Sequence, residues 1–214
     1  KLEPALSKNP THRVALGRAM YISATASNNP AMFDRAIEVL RPALEDPGAR
    51  AAAALYSAGC YDARGNRNEA IRHYRMAIDK VPNDPASLNN LAYLLSSDPA
   101  TVGEAVTLAQ RAVEIAEKTV QAPNLRTSFL ETLGVCHLRA GQAAEAEQAF
   151  RRATDLNPTA LEAWLGLGEA LVAQERLDDA RPILQRIDAA ASKPTGNEFP
   201  QRLEQLRARL SPNK

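Results

Sequence analysis

The sequence predicts an all-α fold: a solenoid of about five stacked helical hairpins closed by a C-terminal capping helix. Three observations predict it. Apolar residues recur at helical spacing in paired blocks from Thr11 to Ile187. The blocks are self-similar: the block that starts at Ala51 returns at Pro85, 34 residues on, and ETLGVCHLRAGQAAEAEQAFRRATDLNP is echoed by WLGLGEALVAQERLDDARPIL. Hydrophobic content is 45%, enough for a core, while aromatics are only 5% and alanine is frequent, a balance that suits close helix–helix packing better than a sandwich of strands.

The elements follow in order. Residues 1–10 read as the end of a truncated repeat, with Leu2 and Ala5 from a second helix and Pro10 closing it, so the chain is expected to be a piece of a longer one. Residues 11–50 form the first full repeat. Its helix from Thr11 carries Leu16, Ala19 and Met20, and Pro30 starts the second helix. LEPALSKNP from Leu2 and LRPALEDPG from Leu40 are alike at an offset of 38, and the four extra residues are placed in the turn ATASNNP. Residues 51–84 are a regular copy, with Ala58, Tyr61, Gly65, Ala70, Tyr74, Ala77 and Pro82. Residues 85–126 carry Leu88, Leu91, Ala92 and Leu95, then Ala105, Ala109 and Ala112. The next copy starts at Thr127, 42 residues after Pro85, so about eight are extra, most of them in KTVQAPNLR. Residues 127–160 carry Leu130, Leu133, Gly134 and His137, a turn at Gly141, then Ala146, Phe150, Ala153 and Pro158. Residues 161–192 carry Trp164, Leu167, Gly168 and Leu171, then Ala180, Leu184 and Ile187. The solenoid thus spans 1–192. Residues 193–214 supply a linker and a capping helix with Phe199, Leu203, Leu206 and Leu210 on one face.

Glycine inside a helix costs roughly 1 kcal/mol against alanine. Gly134 and Gly168 are therefore expected to sit where the second helix of the same hairpin approaches closely, as do Ala58 and Ala92, while Tyr74, Phe150 and Leu184 fill the gap to the next hairpin. Prolines punctuate: Pro82 and Pro158 end helices. Pro42 and Pro182 each sit early or midway in a second helix, where proline kinks or shortens it, and Pro182 lies in the first turn if its helix starts at Asp179.

These slots match the pattern W-x2-L-G-x2-Y, alanine, A-x3-F, proline over 34 residues. The chain resembles the tetratricopeptide-repeat superfamily over nearly its whole length, in particular multi-repeat bacterial members. The resemblance implies a right-handed superhelix whose first helices line a concave groove.

A net charge of +1 gives no footprint for nucleic acid or an anionic membrane. No apolar run approaches the roughly 18 residues of a membrane span, and no signal peptide is visible. The compartment, cytoplasmic or bacterial periplasmic, is left open. Cys60 and Cys136 occupy equivalent slots two repeats apart and read as buried, unreactive thiols. His137 fills the slot held elsewhere by Tyr61 and reads as a packed imidazole, not as a base for Cys136. His73 is expected to face outward, and His12 lies near a helix start. No CxxC or HExxH occurs, so no metal site or cofactor is expected. Gly166-Leu167-Gly168 lacks the third glycine and the preceding strand of a dinucleotide fingerprint. With no coherent catalytic set, no enzymatic activity is expected.

The resemblance implies the site. Residues of the first helices that flank the packed positions face the groove: Tyr56 and Asp62; Asn89, Asn90 and Tyr93; Glu131, Thr132, Leu138 and Arg139; Glu162 and Glu169. An asparagine in the slot of Asn90 often binds an extended peptide backbone in this family, since its amide donates and accepts together. The subfamily that grips chaperone C-terminal carboxylates has basic residues where this chain has Leu55, Ser128 and Thr132, so that partner class is not indicated. The expected function is a protein–protein interaction scaffold binding a peptide or partner segment in its groove. The alternative is an architectural spacer or dimerisation module, with a second copy as partner, in a larger protein whose catalytic domain could lie elsewhere.

Overall fold

The computed structural model describes residues 9–190 and 198–211. The truncated repeat end at Leu2 and Ala5 and the linker residues 191–197 lie outside the described residues. Among the described residues the regular structure is helical, with no strand: α1 (Pro10–Ser27), α2 (Pro30–Leu40) and a 3-10 turn (Arg41–Leu44), α3 (Arg50–Ala63), α4 (Arg67–Lys80), α5 (Pro85–Leu95), α6 (Val102–Thr119), α7 (Pro123–Arg139), α8 (Ala143–Leu156), α9 (Leu161–Ala173), α10 (Leu177–Ala189) and α11 (Phe199–Leu210). The chain divides into two compact units, residues 1–94 and 95–214.

One turn design recurs. After α3 the N–H of Asn66 donates to Tyr61 O at 2.8 Å; after α7 Gln142 donates to His137 O at 2.9 Å; after α9 Arg176 donates to Leu171 O at 3.0 Å; after α1 Asn29 donates to Ala24 O at 3.0 Å. This six-residue closure requires a left-handed residue just past the helix. Gly65 (φ 72°) and Gly141 (φ 74°) supply it without strain, whereas Asn28 (φ 48°) and Glu175 (φ 60°) supply it with a side chain attached.

The extra residues did not become loops. α1 and α6 have 18 residues and α7 has 17, against 14 in α3, α4 and α8. α1 runs through most of ATASNNP, and only residues 120–122 of KTVQAPNLR are non-helical. Asn9 caps α1, its Oδ1 accepting from the Thr11 N–H at 2.9 Å, so Pro10 opens a helix at N1. Pro42 does shorten its helix: α2 ends at Leu40 and the chain tightens into the 3-10 turn. Pro182 falls inside its helix and not in the first turn, because α10 starts at Leu177 and not at Asp179.

In the first unit, Leu40, Ala43 and Ala53 form a buried cluster with Val14 and Tyr56 against it, and Phe33, Ala36 and Cys60 form another with Tyr21. Gly17 gives room to Leu40, and a β-carbon on Gly59 would meet Tyr21 Cε2 at 2.9 Å. His73 contradicts the outward placement. It is 2% exposed, its ring centroid lies 5.0 Å from that of Tyr61, and its Nδ1 meets Glu69 O at 3.0 Å. The local carbonyl partners Nδ1, and the Tyr61 ring covers the imidazole.

In the second unit the core runs from Ala146 and Phe150 through Leu165, Leu167 and Leu171 to Phe199, Leu206 and Leu210, so α11 packs into it as the capping helix. A β-carbon on Gly168 would stand 2.9 Å from Leu206 Cδ2 and 3.5 Å from Ile183 Cγ2. Successive hairpins are also tied by a buried carboxylate. Glu147 on α8 accepts from Arg176 at 2.6 Å, Gln174 at 2.8 Å and Arg151 at 2.9 Å. With three donors, burial of that charge is compensated.

Candidate functional site

The residues expected to line a groove fall in both units, so each set stands by itself. In the first unit, Tyr56 is half-buried, its ring 6.2 Å from that of Tyr21, and Asp62 is exposed. α5 begins where Asp84 accepts from the Ser87 N–H at 2.9 Å and carries the central trio. Asn89 and Tyr93 are one turn apart and share a face. Asn89 is only 9% exposed; its Nδ2 donates to Asn90 Oδ1 at 3.4 Å, and its Oδ1 is buried with no hydrogen-bond partner among the described residues. The Asn90 side chain hydrogen-bonds the hydroxyl of Tyr74, a core residue whose ionisation burial pushes up. Part of the Asn90 amide therefore holds the core. Tyr93 is 41% exposed.

In the second unit the expected contacts are largely taken by the protein itself. Arg202 of α11 grips Glu169 of α9 with two bonds, Nε–Oε1 at 2.9 Å and NH2–Oε2 at 2.6 Å, and reaches Glu162 Oε2 at 3.0 Å. Glu131 on α7 lies beside this set. Burial first, then the charge of Glu162, push its carboxyl up to about 7, while the Ala163 backbone N–H and Arg202 pull the other way. Glu162 is also raised, since burial outweighs the attraction of Arg202. Arg139 donates to Ser96 Oγ at 2.7 Å. Thr132 is buried and Leu138 packs on the core, so neither offers an open contact. Sequence reasoning missed Arg202. Its signal is a basic residue set among the apolar positions of FPQRLEQLRARL, one position before Leu203.

The remaining candidates carry no chemistry of their own. Cys60 and Cys136 are buried free thiols; burial pushes Cys60 up to about 12, with Asp34 adding to it, and Cys136 up to about 11. Thiolates are the reactive form, so both are unreactive in the fold. His137 is partly buried, its Nδ1 2.7 Å from Gln142 Oε1. Among the described residues no group of three His, Cys, Asp or Glu side chains is placed to hold a metal ion, and no helix is long and apolar enough to cross a membrane.

Two family models, each described as tetratricopeptide repeat, match residues 33–85 and 137–198. A comparison with curated proteins finds no match. Among solved structures, PilF of Pseudomonas aeruginosa superposes with a TM-score of 0.70 at 20% identity, over 95% of this chain and 89% of that one. PilW, described as a widely conserved type IV pilus biogenesis factor, gives 0.70 at 17% identity, over 91% and 92%. The tetratricopeptide-like repeats of a putative kinesin light chain from Podosopora anserina give 0.67 at 22% identity, over 83% and 95%. At these identities the structural likeness shows the fold. Repeated hairpins, the matched slots and the two family models together place this chain in the tetratricopeptide-repeat family.

Proposed function

We propose that the face of α5 bearing Asn89, Asn90 and Tyr93 binds an extended segment of a partner protein. Tetratricopeptide-repeat proteins are in general non-catalytic scaffolds for protein–protein interaction, and this chain belongs to their family. We infer accordingly that it acts by binding and not by catalysis. The observation that carries the finer reading is Asn89 Oδ1, a buried acceptor with no hydrogen-bond partner among the described residues. Such an atom costs about 1–3 kcal/mol while it stays unpaired, and a turn of the amide that brings it to the surface lets a backbone N–H of an extended segment donate to it. Tyr93 adds exposed ring surface on the same face. Glu162 and Glu169, already held by Arg202, are better read as anchors of the capping helix than as partner contacts.

The test is a displayed library of extended peptides selected on the protein. A selected peptide is expected to lose at least about tenfold in affinity for Asn89→Leu and for Tyr93→Ala, with melting temperatures held. Peptides that bind both variants as tightly as wild type would move recognition off this face, in favour of the architectural reading.

A further inference from the structure

A groove of about 400 Å³ runs in the second unit, lined by α6, α7 and α8. α6 contributes Gln110, Val113, Glu114 and Glu117, and α8 contributes Glu145, Gln148, Ala149 and Arg152. Both sets have the spacing i, i+3, i+4, i+7, so each helix presents one continuous face. The floor is apolar and buried: Val113, Ala149 and, from α7, Leu133. The rim is exposed and polar. It lies on the second helices, a different surface from the α5 face, and the inference does not rest on that reading.

The rim has a definite chemistry. Glu117 and Arg152 pair across the groove between α6 and α8. Glu114 and Glu145 have no ion pair among the described residues, so three carboxylates against one guanidinium leave two negative charges uncompensated. The neutral groups accept as well. The side-chain carbonyls of Gln110 and Gln148 lie on the rim. An anionic or purely apolar occupant would leave those charges desolvated without a counter-charge.

We propose that this groove binds an arginine-bearing segment of a partner protein, with apolar neighbours of the arginine on the Val113–Leu133–Ala149 floor and its guanidinium between Glu114 and Glu145. A planar guanidinium with five donors suits an acceptor-rich rim, and its three-methylene stem suits the floor.

The probe is the peptide acetyl-Ala-Leu-Arg-Leu-Ala-amide, titrated into the 15N-labelled protein, beside the same peptide with citrulline for arginine, and beside spermidine. The expected result is a saturable shift of the backbone amides of Gln110, Glu114, His137 and Gln148 with the arginine peptide. Citrulline should weaken it at least about tenfold, the factor expected for losing a charge-assisted bond. The variant Glu114→Gln/Glu145→Gln should weaken it as much with no fall in melting temperature. The proposal is overturned if those amides do not shift saturably at millimolar peptide, if the citrulline peptide binds equally, or if the double variant binds as wild type. Spermidine binding as tightly as the peptide overturns the protein segment as occupant. Shifts confined to α5 would overturn the groove while leaving the α5 face standing.

Discussion

Phe150 closes on Gly134 from the facing helix of its own hairpin, and a β-carbon built on Gly134 would stand 2.6 Å from Phe150 Cζ. The same ring also fills the space over Gly166 on α9, in the next hairpin. One aromatic ring therefore needs two glycines, one on each side. The second opens the triplet Gly166-Leu167-Gly168. Gly134→Ala and Gly166→Ala are each expected to cost about 1–3 kcal/mol by overpacking, and Gly134→Leu more. Gly141→Ala meets no neighbour within 4 Å, so its cost is the positive φ alone, about 1–2 kcal/mol. Denaturant midpoints decide. Recovery of Gly134→Ala by Phe150→Leu would trace the loss to that ring.

Glu175 stands in the left-handed slot that glycine fills at positions 65 and 141. Glu175→Gly is expected to be neutral or to stabilise by up to about 1 kcal/mol. A clear loss of stability would show that its side chain makes a contact worth more than the strain.

Glu131 makes the second unit lose stability as pH rises from mildly acidic to neutral. A carboxyl raised to about 7 in the fold, against an ordinary value of 4.5, favours its protonated form. Its contribution is whole below about pH 4.5 and fades as pH rises through about 7. Glu131→Gln should therefore gain on wild type as pH increases, with the two alike in acid. Parallel stability–pH curves would contradict this.

His73 works in the opposite sense. Burial depresses its pKa, with Arg72 adding to that, while the Glu69 carbonyl and carboxylate resist it. The contribution is present above the unfolded value of about 6.5 and is lost as pH falls towards the folded one. His73→Phe keeps the stacking on Tyr61 and should lessen the loss of midpoint between neutral and mildly acidic buffer.

Arg202 is expected to tie α11 down. Arg202→Met leaves two partly buried carboxylates without a counter-charge and should cost about 1–3 kcal/mol. Arg202→Lys should recover little, because an ammonium cannot reproduce the paired bonds to Glu169. Hydrogen exchange should report the loss first in the amides of α11.

What the sequence revealed follows from what repeats. Gly134, Ala70, Tyr74 and Phe150 recur at fixed slots because every hairpin has the same packing problem, so their burial was legible. The helix extensions of α1, α6 and α7 were not, because nothing in ATASNNP or KTVQ stops a helix before Asn28 or Val120. His73 was legible and misread: Ala70, His73, Tyr74 and Ala77 have the spacing i, i+3, i+4, i+7 of one buried face. Arg202 was illegible, because its partners Glu162 and Glu169 are distant in sequence and no local periodicity encodes them. Of the expected groove set, Asp62, Tyr93 and Arg139 are exposed on first helices, whereas Asn89 and Thr132 are buried. That Asn89 would keep an unsatisfied acceptor, while Asn90 spends part of its amide on Tyr74, required the packed core.

The placement of α11 also bears on self-assembly. A stack of identical-looking hairpins invites a copy of itself onto an open end, and head-to-tail contacts that do not close grow into filaments. Here Phe199, Leu206 and Leu210 cover α9 and α10 from within the same chain, and the outward side of α11 shows Gln201, Glu204, Gln205 and Arg209. Stacking of a second copy onto α9 and α10 is blocked by that helix. Removing α11 should bare this apolar face and let a second copy add there, which sedimentation would read as concentration-dependent association.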